Sequence, residues 1–243
     1  MRGQAERAAR RQAEEQLVAL FAADGMTLDR DAISAEAPPA GRTLERDTVL
    51  DRRAAAFLLG DPVEVEDQGG GIYAYSSPAG SALFRSNGSF DADLGGGSAL
   101  DADSISTFCR KFAYGEPVFQ VDGDGSGTAS AIQYSGGLPV FNCAVTFTLQ
   151  AGRLTRVSGT LLPETGTAAV TDREPLSAAA ALTAFQKMRR ESGAVVSAVT
   201  EVYACYELQS STAVSMSLAP AWCVVTDTAK YYVNCITGAV SIG

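Results

Sequence analysis

The stretch "EPVFQVDGDGSGTASAIQYSGGLPVFNCAVTFTLQAGRLTRVSGTLLP", Glu116 to Pro163, decides the fold. It holds four runs, "EPVFQV", "TASAIQYSG", "LPVFNCAVTFTLQ" and "RLTRVSGTLLP", separated by Gly-rich connections. β-Branched and aromatic side chains fit a pleated, half-buried surface, and short Gly-containing loops join strands as antiparallel neighbours. The first connection also has the spacing of a calcium loop. Asp122 takes the first ligand position, Asp124 the third and Ser126 the fifth, with Gly127 at the sharp turn. The bidentate Glu that such a loop needs at its twelfth position is Gln133, the eighth position is Ala129, and the flanks are strands where an EF-hand has helices. Asp, Gly and Ser equally make a hairpin tip. The reading is therefore a meander, with Asp122 and Asp124 left as the only pair worth testing for a metal ion.

Outward from this meander the pattern repeats. A helix is predicted over Ala5–Ala23, closed by Gly25 with Met26 as its following apolar contact. Its opening, "RGQAERAARRQAEEQ", carries no large apolar residue before Leu17, so the first three turns project from the body, as a stalk or as a frayed end. "AEAPPAG" is an extended spacer. "RDTVLDRRAAAFLLGDP" is a second helix, capped by Asp47 and ended by Gly60 and Pro62. "VEVED", "GIYAYSS", "SALFRS" and "SFDADL" are strands, the last two joined by Asn87–Gly88 as a type I′ hairpin. "LDADSISTFCRKFAYG" is a third helix, capped by Asp101 or Asp103 and stopped by Gly115. "EPLSAAAALTAFQKMRRESG" is a fourth, capped by Ser177, with Leu182, Phe185 and Met188 on one face. Four strands, "AVVSAVTEVYACYELQ", "LAPAWCVVTD", "KYYVNCIT" and "AVSIG", finish the chain. Helix then meander, twice over, predicts an α+β fold of two tandem helix-plus-antiparallel-sheet units. They are 1–96 with its lead-in helix, and 97–243, divided near Gly96, with a division near Pro163 as the second choice.

The chemistry is limited by what is missing. The 243 residues contain no histidine, which removes Ser-His-Asp and Cys-His nucleophile systems and His-ligated zinc. Net charge is −9, against the basic face that nucleic acid requires. The runs "GGG" at 69–71 and 95–97 lack the helix and Lys of a phosphate loop. No run of apolar residues is long enough to span a bilayer. The five cysteines, Cys109, Cys143, Cys205, Cys223 and Cys235, form no C-x-x-C pair. They read as small buried apolar residues, with one bridge among the last three left open. "TDTA" at Thr226–Ala229 lacks the Gly of an aspartic-protease D-T-G and reads as a turn. Trp222, Tyr231 and Tyr232 lie in the final strands, where those facing away from the helix offer a contact surface for a partner.

The last 70 residues resemble a known unit. "PLSAAAALTAFQKM", "EVYACYEL" and "LAPAWCVVTDTAKYYVNCITGAVSIG" are similar to the PepSY-like helix and strands, with the string "PAW…YYVN…TG" as the specific part. Cys223 and Cys235 stand where that family has other residues. "AIQYSGGLPVFNCAVTFTLQAGRLTRVSGTLL" resembles the corresponding region of YycI, a membrane-anchored extracytoplasmic regulator of Gram-positive bacteria. The resemblance implies a body outside the cytoplasm, a single-pass anchor outside the present stretch, and no catalytic residues or cofactor. It also implies a protein partner, either a membrane sensor histidine kinase or a peptidase. The leading expectation is a non-enzymatic regulatory interaction module. The alternatives are a carboxylate-based hydrolase and a calcium- or ligand-binding envelope protein.

Overall fold

The computed structural model describes residues 2–95, 99–164, 166–169, 173–211 and 215–243. Helix ends fall where the sequence supplies groups for the free backbone amides and carbonyls. Helix α1 (Arg2–Ala23) closes on Gly25 at φ 72°, and the Met26 amide returns to the Phe21 carbonyl at 3.0 Å. Strand β1 (Thr27–Leu28), one 3₁₀ turn (Arg30–Ala32) and β2 (Arg42–Glu45) follow. Helix α2 (Thr48–Leu59) starts on Asp47, whose carboxylate accepts the Val49 and Leu50 amides. Then come β3 (Glu64–Gly69), β4 (Ile72–Ser77), β5 (Gly80–Phe84) and β6 (Ser89–Leu94). Helix α3 (Ala102–Lys111) opens with a reciprocal capping box between Asp101 and Ser104. The central meander is β7 (Val118–Val121), β8 (Gly127–Ser135), β9 (Leu138–Gln150) and β10 (Arg153–Thr160), followed by a short β11 (Gly166–Ala168). Helix α4 (Ala178–Ser192) starts on Ser177, whose hydroxyl accepts the Ala180 amide. Strands β12 (Ala198–Ser211), β13 (Ser215–Thr226), β14 (Lys230–Asn234) and β15 (Val240–Ile242) complete the chain. The fold is mixed α+β and mostly antiparallel. A two-residue parallel pairing joins β1 to β12.

The chain forms two compact units. A central unit comprises Arg42–Ala169 and Glu207–Leu218, and a terminal unit comprises Met1–Gly41, Val170–Tyr206 and Ala219–Gly243. The boundary expected near Gly96 lies outside the described residues. A division there would part β6 from β10, which pair from Asp93↔Arg156 to Ser89↔Thr160. The units instead interleave along the chain, because pairing across the sheet outweighs nearness in sequence.

Eight strands of the central unit run β3-β4-β5-β6-β10-β9-β8-β7, every neighbouring pair antiparallel. One face buries the apolar sides of α2 and α3, with Leu50, Leu58, Ile105, Phe84, Phe90 and Phe147 in the core. The Phe108 ring is 4.6 Å from Phe112, 5.5 Å from Phe57 and Phe147, 5.9 Å from Tyr114 and 6.4 Å from Phe90, centroid to centroid. The other face is polar except toward β7, where Val118, Ile132 and Tyr134 lie on it. Thr128 and Ser130 of β8 stand opposite Thr148 and Thr146 of β9, and Arg85 and Arg156 reach Asp91 at 2.7 and 3.7 Å.

Two turns differ from expectation. Asn87 does not adopt positive φ; only Gly88 does, at 80°, and the Gly88 amide bonds the Arg85 carbonyl. The β5–β6 hairpin therefore has a three-residue loop ending in a left-handed glycine, because Arg85 pairs with Ser89 across it. The type I′ geometry appears at Ala151–Gly152 (φ 48° and 76°), between Gln150 and Arg153. Likewise α3 is stopped by Ala113 at φ 57°, with the Tyr114 amide on the Cys109 carbonyl at 2.8 Å, and not by Gly115.

In the terminal unit α4 lies on the sheet through Phe185 and Tyr231, with ring centroids 4.9 Å apart, and α1 meets α4 through Phe21 and Phe185 at 6.4 Å. Asp24 fixes the end of α1 to α4 by accepting from Gln186 and, at 2.6 Å, from Arg190. That pairing holds its carboxyl below the usual range.

An L-residue in the left-handed region costs about 1 kcal/mol that glycine does not incur. Ala113→Gly should accordingly raise stability by up to about 1 kcal/mol in urea unfolding, whereas the same change at an ordinary helical position lowers it.

Candidate functional site

The residues singled out in the sequence fall mostly into structural roles. Asp122–Ser126 is the β7–β8 hairpin tip. The Asp122 amide bonds the Ser126 carbonyl at 2.8 Å, and Asp124 Oδ1 accepts the Ser126 amide at 2.8 Å. The tip is tied to the neighbouring hairpin, where the Ala151 amide donates to Ser126 Oγ and the Gly152 amide to the Gly125 carbonyl. Among the described residues no group of three or more acidic or cysteine side chains converges as a metal cage would require. Gln133, the twelfth position of that loop, is fully buried. Its amide donates to the carbonyls of Phe112 and Leu162 and accepts the Leu162 amide at 2.8 Å, joining the end of α3 to the chain leaving β10.

Of the three aromatic residues expected at a contact surface, Trp222 and Tyr231 are not at the surface. Trp222 is fully buried and donates through Nε1 to the Leu176 carbonyl at 2.8 Å, and Tyr231 is core against Phe185. Both lie on the helix-covered face, which alternation alone does not reveal. Tyr232 points to the other face, half-buried beside Cys223, and burial pushes its phenol up to about 12. All five cysteines are buried and none is in a disulfide, and burial pushes the thiols of Cys109, Cys143 and Cys235 up to about 12. At "TDTA", the Asp227 carboxylate accepts the Ser197 and Ala198 amides, which hold it below the usual carboxylate range, and Thr226 Oγ1 donates to the Ala229 carbonyl. This is a turn clamp.

Two further clusters carry charge. Asp51 of α2 is buried and bonds Arg46 Nη2 at 2.6 Å, while Arg46 also donates to the Arg85 carbonyl. Burial pushes the Asp51 carboxyl up to about 6 despite that guanidinium. Its hydrogen-bonded partner is the Arg46 guanidinium, and the neighbouring Asp47 adds to the upward push. Beside α1 an open groove of about 720 Å³ is lined by Arg11, Glu14, Arg30, Asp31 and Ile33, and Arg30 already binds Glu14 at 3.1 Å and Glu15 at 3.8 Å.

The surface that stands apart is the β7–β8 hairpin. β7 pairs with β8 alone among the described residues. Its four residues are all exposed, Val118 at 64%, Phe119 at 40% and Val121 at 42%. β8 adds Ile132 and Tyr134 at 39% and 40%. These five make up more than half of the exposed large apolar side chains among the described residues, which are otherwise scattered singly. The opposite end of the sheet, β3, carries Glu64, Glu66 and Asp67. Charge on an edge strand discourages pairing with another chain. β3 is guarded in this way, and β7 has no charge within it. Composition could not single out this site, because apolar alternation in an edge strand reads the same as in a central one.

No family model and no curated protein matches the chain. Among solved structures it is similar to an uncharacterized protein from Eubacterium rectale ATCC 33656, at 11% identity over 89% of this chain and 85% of that one, with a TM-score of 0.47. It is also similar to the Bacillus megaterium YpeB C-terminal domain, at 11% identity over 82% of this chain and 98% of that one, with a TM-score of 0.33. Among the described residues no helix is long and apolar enough to cross a membrane.

The raised Asp51 value has a defined sign. Its folded pKa of about 6 exceeds the ordinary 3.8, so this group's contribution to stability is fully present below about 3.8 and is lost as pH rises through about 6. Arg46 holds the value down. Arg46→Met should move the Asp51 carboxyl titration, followed by carbon NMR, to higher pH. It should also cost about 3–5 kcal/mol, as removal of one partner of a buried pair does.

Proposed function

We propose that the protein is a non-enzymatic interaction module that docks a partner protein at its β7–β8 edge. The observation that carries this reading is the contrast between the two ends of the central sheet. One edge bears three acids and the other presents Val118, Phe119 and Val121 to solvent with no charge between them. A soluble chain gains nothing in stability from that exposure, and an uncharged apolar edge is an aggregation hazard unless another chain covers it. Support for a PepSY-like reading of the last 70 residues comes from the succession of α4 and the antiparallel β13, β14 and β15. On that reading the body works outside the cytoplasm, attached to a membrane, and its partner is a membrane protein such as a sensor histidine kinase or a peptidase. Regulation then takes the form of restraint by contact.

A photo-crosslinking amino acid placed at position 118, in the full-length protein within its native cells, should give one discrete adduct with a membrane protein. The same probe at position 66 on the guarded edge should give none. Equal labelling from both positions, or no adduct from 118, would contradict the proposal.

A further inference from the structure

The backbone of β7 restricts what can sit on it. In an antiparallel strand alternate residues direct both N–H and C=O to the same side. The Asp122 amide bonds the Ser126 carbonyl, so Gln120 and Val118 face β8, while Phe119 and Val121 turn their amides and carbonyls to the open side. Pro117 precedes them on that side and contributes a carbonyl without a donor. A row of outward amides and carbonyls of this kind is what an added strand can pair with.

Charge selects which strand. Glu116 and Asp122 bracket β7, with Asp124 just beyond, all exposed, and the whole chain carries −9. A second copy pairing antiparallel through β7 would set Glu116 of one chain against Asp122 and Asp124 of the other. Parallel pairing would set each acid beside its own twin. Both are like-charge contacts, which oppose association. A strand of alternating apolar residues with Lys or Arg at each end meets complementary charge in either direction.

We propose that the β7 edge binds an extended segment of the partner protein, apolar at its centre and basic at both flanks, by adding it to the central sheet as a further strand. This rests on the reading of the β7–β8 edge as a docking surface and specifies its mode.

The probe is the synthetic peptide KKTVTVTVKK with a fluorescent tag, titrated with the whole protein in low salt. It should bind, and the acidic-flanked EETVTVTVEE should bind at least about tenfold more weakly, with the gap narrowing as salt screens the flanks. Methylating alternate backbone nitrogens of the basic peptide should weaken it by at least about tenfold, a test that leaves the protein untouched. Phe119→Pro removes one outward amide and spares the bonds to β8, so a folded variant with an unchanged circular dichroism spectrum should lose binding. Phe119→Thr, which keeps the amide, should retain part of it.

Equal binding of the methylated peptide would overturn strand addition, and equal binding of the acidic peptide would overturn the charge assignment. Concentration-dependent dimerisation that Phe119→Pro abolishes would overturn the proposal in favour of a second copy. If these tests fail while the crosslink from position 118 persists, docking stands and strand addition falls.

Discussion

The buried ring of Phe108 is the contact around which the central unit is arranged. Helix α3 has only ten residues, too few to be stable in water by propensity alone. It persists because Ile105, Phe108 and Cys109 are buried, and Phe108 touches α2 through Phe57, β6 through Phe90 and β9 through Phe147. One ring thus holds both helices to the same face of the sheet. Removing such a side chain from a core costs about 3–5 kcal/mol, a large share of a domain's stability.

That one-sided covering has consequences. The face away from the helices must be wettable, and it carries Thr128, Ser130, Thr146, Thr148 and the Arg85–Asp91–Arg156 pairs. The chain leaving α3 runs back along β8, with the Gly115 amide on the Ile132 carbonyl at 2.9 Å and the Tyr134 amide on the Ala113 carbonyl at 2.7 Å. This return makes β7 the outermost strand. Buried Gln133 fixes the same corner from below through Phe112 and Leu162. The geometry that exposes β7 therefore follows from the packing of α3.

Local chemistry was legible in the sequence, and long-range pairing was not. Asp47, Ser177 and Gly25 end their helices as read, and Asp101 is the one of its two candidates that caps α3, since capping depends on neighbours within a few residues. The strands of the meander fall where alternation placed them. The turn at Asn87–Gly88 departed from the reading because cross-strand register, set by Phe84↔Phe90, decided loop length. Ala113 takes the left-handed position that ends α3, although glycine is the better residue there, so residue type alone did not mark it. The division of the chain was hidden because β10 returns to β6 across α3 and the β7–β9 meander. Trp222 and Tyr231 appeared equally able to face in or out; only the position of α4 decides. The β7 edge itself was invisible, because nothing in "VFQV" says which neighbour is missing.

The central claim is that β7 presents an unpaired edge. Amide hydrogen exchange on the isolated protein tests it residue by residue. The account predicts that Phe119 and Val121 exchange close to the rate of open peptide, while Gln120 and Asp122, bonded toward β8, are protected. Phe119 and Val121 amides as slow as that of Gln120 would mean that the edge is already filled, and would contradict the account.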